Sequence, residues 1–214
     1  MPKTTPTQTE RIKKASAERR KQQKLETRRA ILDAAVALFT EHGYENFSLR
    51  QVAEAIGYSP TTIYLYFENK DDLLFHTAME GFLTFGQMMQ GAYDSSDDPL
   101  ERLRAEGQAY VRFALEHPVS YRLMFMQRGE FLERETPEDY ESVIDSFSVL
   151  LRTVAECFEA GYFKQGDVET CANVLWGSVH GVASLSIATP YLSVEEAYAL
   201  VEVSNRWLIE GMMA

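Results

Sequence analysis

FSLRQVAEAIGYSPTTIYLYFENK, residues 47–70, holds three helix starts and one glycine turn within 24 positions. Ser48 is placed to cap a helix, with Gln51 able to reach back three residues later. Phe47 and Val52 occupy the apolar staple positions that fix the entry angle of that helix, and Val52, Ala53 and Ile56 fall on its inner face. Gly57 supplies the positive φ that a tight turn requires. Ser59 with Pro60 is a second cap followed by proline in the first helical position. Asn69 is a third, with Asp71 and Asp72 in the following turn, where the helix dipole favours acid. The spacing predicts a helix, a turn, a second helix of two turns over residues 60–67, and a further helix from Lys70. This is a helix-turn-helix, built to set one helix in the major groove of DNA.

On the second helix Ile63 and Phe67 lie four apart and point inward, leaving Thr61, Thr62, Leu65 and Tyr66 outside and Tyr64 at the boundary. A face of hydroxyls, phenols and one leucine suits a groove: hydroxyls and phenols bond phosphates or base edges, and Leu65 can touch a thymine methyl. Arg50, early in the preceding helix, is the candidate for a bidentate guanine contact. Lys70 brings charge to a helix N-terminus aimed at a phosphate. An ordinary helical hairpin with a tyrosine-rich surface is the competing reading of the caps and turn alone.

The stretch from Leu25 to Leu74 closely resembles the tetracycline-repressor (TetR) family of bacterial transcription regulators. The resemblance runs from Thr-Arg-Arg-Ala-Ile-Leu-Asp-Ala-Ala through Ile-Tyr-Leu-Tyr-Phe-Glu-Asn-Lys-Asp-Asp-Leu-Leu. It implies a DNA-reading head of three helices, a ligand-binding body, and a homodimer on a palindromic operator. It also implies repression that is lifted when a small molecule binds the body. Carried over by position, Ser48, Arg50, Thr61, Thr62, Tyr64, Leu65, Tyr66 and Lys70 fall where family members contact DNA. Many relatives carry Gly where this chain has Thr61 and His where it has Tyr66, a departure that bears on which operator is read.

Charge agrees with a head that touches phosphates at one end only. Residues 1–70 hold 12 Lys and Arg against 8 Asp and Glu, net +4; residues 71–214 hold 9 against 24, net −15. The whole chain carries −11, so only its distribution points to nucleic acid. Residues 1–23 are polar and basic and read as a flexible arm. It is either a source of extra phosphate contacts or a solvated tail. No apolar run of about 18 to 20 residues suggests a membrane span, and no signal segment opens the chain, so a cytoplasmic protein is expected. Cys157 and Cys171 have neither disulfide nor ligand spacing, and His42, His76, His117 and His180 are scattered, so neither a metal site nor a cofactor is expected.

Helical periods continue to the C-terminus. They cover about 25–42, 71–90, 99–117 and 118–125, then Val143 to Gly161, 167–187 and 193–212, with a charged loop from Arg128 to Pro137. No period-two strand with hairpin chemistry occurs. The expected fold is all-α with about nine helices: an arm (1–23), a three-helix DNA-binding head (24–70), and a helical effector-binding and dimerisation body (71–214).

In the body, Phe82, Phe85, Met89, Phe113, Tyr121, Met124, Phe125, Phe147, Leu151, Trp176 and His180 form a pool of large apolar or aromatic side chains. Such a pool lines an adaptable pocket for an apolar or aromatic effector, or simply fills a core. The segment marked by Trp176, Gly177, His180 and Gly181 resembles the Trp-His-Gly (WHG) type of C-terminal domain in the same family. By that resemblance the last two long helices form the dimer seam, with Gly177 and Gly181 on one and Leu200, Val201, Ser204, Trp207 and Leu208 on the other. Packing inside one subunit competes for each of these residues.

The leading function is thus a ligand-responsive repressor. A ligand-independent DNA-binding or architectural protein is the alternative and would have no buried cavity. An enzyme comes third, since no nucleophile–base pair, metal cluster or phosphate loop is visible. A deep pocket with a perturbed carboxylate beside His180 would revive it.

Overall fold

The computed structural model describes residues 7–43, 46–126, 145–188 and 192–213. The loop expected from Arg128 to Pro137, the helical position of Val143 and the first six residues of the arm lie outside them. Among the described residues the chain is helical throughout. The helices are α1 (Gln8–His42), α2 (Leu49–Ala55), α3 (Pro60–Ile63), α4 (Lys70–Tyr93), α5 (Pro99–Glu116), α6 (Pro118–Tyr121), α7 (Ser146–Glu159), α8 (Val168–Ala188) and α9 (Val194–Met213). A π-helical turn, Arg122–Met126, follows α6 directly.

α1 begins at Gln8, well inside the segment expected to be a flexible arm. Its early turns are rich in Lys, Arg, Glu, Gln and Ala, which lose little side-chain freedom in a helix, and Gly and Pro are absent from them. Pairs four residues apart add local support, Gln22 with Glu26 at 2.9 Å and Arg29 with Asp33 at 3.0 Å. Among the residues whose burial is described, Thr27 is the first that is buried. A helix without a packed face leaves no period in its sequence.

The chain divides into two compact units, residues 1–76 and 77–214, and the division falls inside α4. In the first unit Ile31, Leu32, Ala35 and Phe39 of α1 meet Phe47, Leu49, Val52, Ala53, Ile63, Phe67, Leu73 and Leu74 in one core. Burying side chains of this size is worth roughly 1.5–3 kcal/mol each, against about 1 kcal/mol for a cap, so the core sets the fold and the caps set the boundaries. Phe39 and Phe47 meet edge to face at 6.3 Å.

In the second unit α5, α7, α8 and α9 pack on one another around Leu100, Leu103, Leu150, Val154, Cys157, Leu175 and Ile209. Three helices of this unit carry side-chain caps. Asp98 accepts from Leu100 N at 2.9 Å, and Asp167 accepts from Thr170 N at 3.0 Å. Ser193 and Glu196 bond reciprocally at 2.7 and 3.2 Å. Both cysteines are buried free thiols. The last turn of α4 is clamped. Tyr93 donates its hydroxyl to Glu156 at 2.5 Å, while Arg102 and Arg152 stack on its ring at 4.2 and 3.7 Å.

α8 bears on the expectation about apolar runs. At 21 residues and mean hydropathy 1.2 it is long and apolar enough, by length and composition, to cross a bilayer. Here it packs on α5, α7 and α9 through Cys171, Ala172, Leu175, Val179, Val182 and Ala183. A second stripe, Val174, Gly177, Gly181 and Leu185, lies on the other side, where Val174 and Leu185 are exposed. Two apolar stripes, with Asn173 and Ser178 between them, raise the mean without producing an unbroken run.

Candidate nucleic-acid interface and ligand cavity

In the first unit, Ser48 accepts from Gln51 N at 3.4 Å and donates to Gln51 Oε1 at 2.9 Å. Ser59 accepts from Thr62 N at 3.3 Å, and Gly57 turns the chain at φ +72°. The α-helical part of the second helix is shorter than expected, Pro60–Ile63. Residues 64–66 continue as a tighter turn, with Leu65 N bonded to Thr62 O at 3.2 Å and Tyr66 N to Ile63 O at 2.9 Å. Ile63 and Phe67 are fully buried four residues apart, and holding both in the core draws this turn in.

The opposite face is open. Leu65 is 76% exposed and Tyr64 58%, more exposed than the boundary position expected for Tyr64; Thr61 is exposed, and Thr62 and Tyr66 are half-buried. Arg50 is exposed and pairs with Glu54 at 3.1 Å. The Lys70 ammonium lies 4.6 Å over the Phe47 ring at the start of α4. Asn69 caps that helix at 2.9 Å, and Asp72 accepts from Glu68 N at 2.9 Å.

The second unit holds a partly open cavity of about 370 Å³. Of the pool named from the sequence, Phe82, Phe85 and Met89 of α4, Phe125 of the π-helical turn, Phe147 of α7 and Trp176 of α8 line it. The other five members of the pool do not. Phe113 is buried behind Phe85, ring centroids 5.0 Å apart. Met124 packs on α4, where a Cβ on Gly81 would stand 2.7 Å from its sulfur. Leu151 belongs to the core between α5, α7, α8 and α9. Tyr121 and His180 form a layer behind Tyr110, stacked at 5.7 Å and bonded hydroxyl to Nδ1 at 2.7 Å. Tyr110 is the cavity-lining member of that layer and also accepts from Trp176 Nε1 at 3.2 Å. Burial lowers the His180 pKa and raises that of Tyr110, so both favour their neutral forms.

Sequence reasoning missed the polar part of this cavity. Glu106 of α5 lines it at 2% exposure; Oε1 accepts from Thr153 Oγ1 at 2.6 Å, while Oε2 has no partner. Burial pushes its carboxyl up to about 8. Asn205 of α9 is likewise buried, with Oδ1 unpartnered, and packs so closely that a Cβ on Gly107 would stand 2.1 Å from its amide nitrogen. The one available signal was that Glu106 and Gly107 fall on the apolar side of an amphipathic helix, among Leu103, Tyr110 and Phe113.

Of the residues expected at a seam between copies, Val201 is wholly buried within its own unit, and Leu208 packs against the core. Gly177 and Gly181 face open space, Ser204 is half-buried, Leu200 is exposed, and Trp207 is 67% exposed. A helix set against α5 and α8 has room for only one outward stripe, and positions 201 and 208 face the other way.

The match to known proteins extends over both units. Residues 31–77 match the family model described as bacterial regulatory proteins, tetR family. Residues 103–206 match a tetracyclin repressor-like C-terminal domain. A fatty acid metabolism regulator protein of Bacillus subtilis is 25% identical over 182 residues, spanning 82% of this chain and 88% of its own. A solved protein of unknown function from Rhodococcus is 26% identical with TM-score 0.71, over 87% of this chain and 95% of the other. The fatty acid degradation regulator of Bacillus halodurans has the same fold, at TM-score 0.70 and 24% identity, over 86% and 95%.

Proposed function

Because this chain belongs to the tetR family of bacterial transcription regulators, we propose that it is a homodimeric repressor, released from a palindromic operator by a small apolar or aromatic effector. One observation carries the reading: α4 begins beside the exposed Thr61, Tyr64 and Leu65 face and continues as a wall of the 370 Å³ cavity. The same helix thus starts where DNA is read and carries Phe82, Phe85 and Met89 against the effector. Ser48, Arg50, Thr61, Thr62, Tyr64, Leu65, Tyr66 and Lys70 contact the operator. An occupant that displaces Phe82 and Phe85 moves α4. The two recognition helices of the dimer then leave the roughly 34 Å spacing of successive major grooves.

The dimer seam in this proposal is the outward stripe of α8 and α9, from Val174, Gly177 and Gly181 to Leu200, Ser204 and Trp207. Its exposed apolar residues support the assignment. We read the body as the Trp-His-Gly type of the family; the support is that Trp176 and His180 meet at the Tyr110 hydroxyl. As a DNA-binding regulator the protein acts in the cytoplasm. The name of the Bacillus subtilis relative makes alkyl or acyl chains one class of occupant to test.

The cavity argues against a ligand-independent architectural protein. An enzyme is disfavoured because the perturbed carboxylate, Glu106, is bonded to Thr153, while His180 Nδ1 is taken by Tyr121 and Tyr110. The two do not form an acid–base pair. The deciding experiment is gel-shift binding to the DNA upstream of its own gene, repeated with apolar small molecules. Specific binding abolished by one compound supports the repressor. Specific binding that none disturbs favours the constitutive alternative.

A further inference from the structure

The cavity wall is mostly apolar, and two oxygens of its lining residues stand out. Glu106 Oε2 and Asn205 Oδ1 are both buried and both without a hydrogen-bond partner. Two orphaned oxygens are costly in an apolar site, because each has left water without regaining a partner. The ionisable side chains among the described lining residues are Glu106, Asp145 and Tyr110, with no Lys, Arg or His among these described residues. Asp145 caps α7, and bonds from Ser148 and Phe147 hold its carboxyl below the usual range, so it stays charged. Aromatic faces from Phe82, Phe85, Tyr110, Phe125, Phe147 and Trp176 complete the wall.

We infer that the effector is an apolar molecule with one protonated amine, its ammonium group donating to Glu106 Oε2 and Asn205 Oδ1 while its body fills the aromatic part of the cavity. The inference rests on the proposal that this cavity is the effector site. Three features converge on a cation: Glu106 Oε2, once ionised, and Asn205 Oδ1 both lack donors, aromatic faces attract positive charge, and the charged Asp145 repels a carboxylate. A free fatty acid brings a head of the wrong sign. A neutral alcohol supplies one donor and no charge.

The charged groups that bear on Glu106 are Arg102 on its own helix and Arg152 and Glu156 on α7; from α9 the neutral Asn205 packs against the adjacent Gly107. Arg102 is paired with Glu156, and Arg152 stacks on Tyr93. Neither takes the place of a ligand cation at Oε2, which has no partner. Unliganded, the Glu106 carboxyl holds its proton up to about pH 8. An entering ammonium favours the carboxylate, so the proton passes to solvent, and amine affinity rises as pH goes from 6 toward 8.

The test uses three probes that share one chain and differ in the head: decylamine, decanol and decanoate. Binding to the full-length protein is followed by titration calorimetry, and release of operator DNA by gel shift. Decylamine is expected to bind on the order of tenfold to a hundredfold more tightly than decanol, with decanoate weakest. Glu106→Gln should bring the amine down to the alcohol without changing the alcohol. Asn205→Leu should lower amine affinity with Glu106 intact, and thermal melts verify that both variants fold. Decanoate binding as tightly as decylamine, or an amine preference that survives in E106Q, overturns the inference; DNA release by any probe then leaves the cavity reading standing. Glu106-dependent amine binding without DNA release does the reverse, supporting the head-group assignment and removing the release mechanism. If none of the three binds, both fall.

Discussion

The hydroxyl of Thr153 on α7 donates to one oxygen of Glu106 on α5 at 2.6 Å and leaves the other oxygen of this cavity-lining residue buried without a partner. A single neutral donor does not replace the water lost at a buried carboxylate, and the acid keeps its proton well above the usual range.

That proton makes stability depend on pH. In the folded protein Glu106 titrates at about 8, against 4.5 for the free side chain. Between these values the folded state holds a proton that the unfolded state has released. Stability from this group is therefore full below pH 4.5 and is lost as pH rises toward 8, with a slope of up to about 1.4 kcal/mol per pH unit. Glu106→Gln removes the dependence. Its melting temperature relative to the parent should climb steadily from pH 5 to 8, and a constant difference would show the carboxyl ionised in the fold.

Gly107 is set against Asn205, and an added methyl would stand 2.1 Å from the amide nitrogen. Gly107→Ala gains about 1 kcal/mol of helix propensity but forces a buried amide to move, typically costing about 1–3 kcal/mol. Net destabilisation is expected. Adding Asn205→Ala removes the clash, so the double variant should recover most of the loss that the alanine caused. Denaturant titrations of the two single variants and the double variant measure this coupling. A Gly107→Ala protein more stable than the parent would show the contact to be slack.

Arg50 must leave Glu54, 3.1 Å away, to reach a base. The pair is exposed and weak, worth at most about 1 kcal/mol, so a bidentate guanine contact outcompetes it. Arg50→Ala should weaken operator binding by about 1–3 kcal/mol and relax preference at one base pair. Equal weakening on every sequence in a competition gel shift would reduce Arg50 to a phosphate contact.

Trp207 is the cleaner probe of self-association. Leu208 packs into the protein's own core, so a charge there would unfold the body as readily as divide a dimer. At 67% exposure Trp207 tolerates a change within one subunit. Trp207→Glu should halve the mass found by light scattering while leaving the melting curve of the monomer cooperative. An unchanged mass would take α9 out of the seam.

The head was legible because its signals are local: Ser48, Gly57, Ser59 and Asn69 each act within four residues of themselves. The apolar half of the cavity was partly legible, since Phe82, Phe85 and Met89 repeat along one helix. What stayed hidden depends on partners distant in sequence. Glu106 meets Thr153 across 47 positions, and Gly107 meets Asn205 across nearly a hundred. Tyr121 and His180 carry the same residue types as the lining, and only packing sets them one layer back. Val201 and Leu208 differ from Trp207 by the rotation of one helix.

The clamp on Tyr93 gives α4 a fulcrum. At about 1.5 Å per residue, Phe82 lies roughly 16 Å from that pivot and Thr77, where the second unit's part of α4 begins, roughly 24 Å. A helix held at one end magnifies a sideways push, so about 1 Å at Phe82 becomes about 1.5 Å at Thr77. Tyr93→Ala, which touches neither cavity nor DNA, would let both ends give and discard that gain. In DNA-release titrations it should blunt the response to an occupant whose own affinity is unchanged; an undiminished response would mean that α4 does not pivot there.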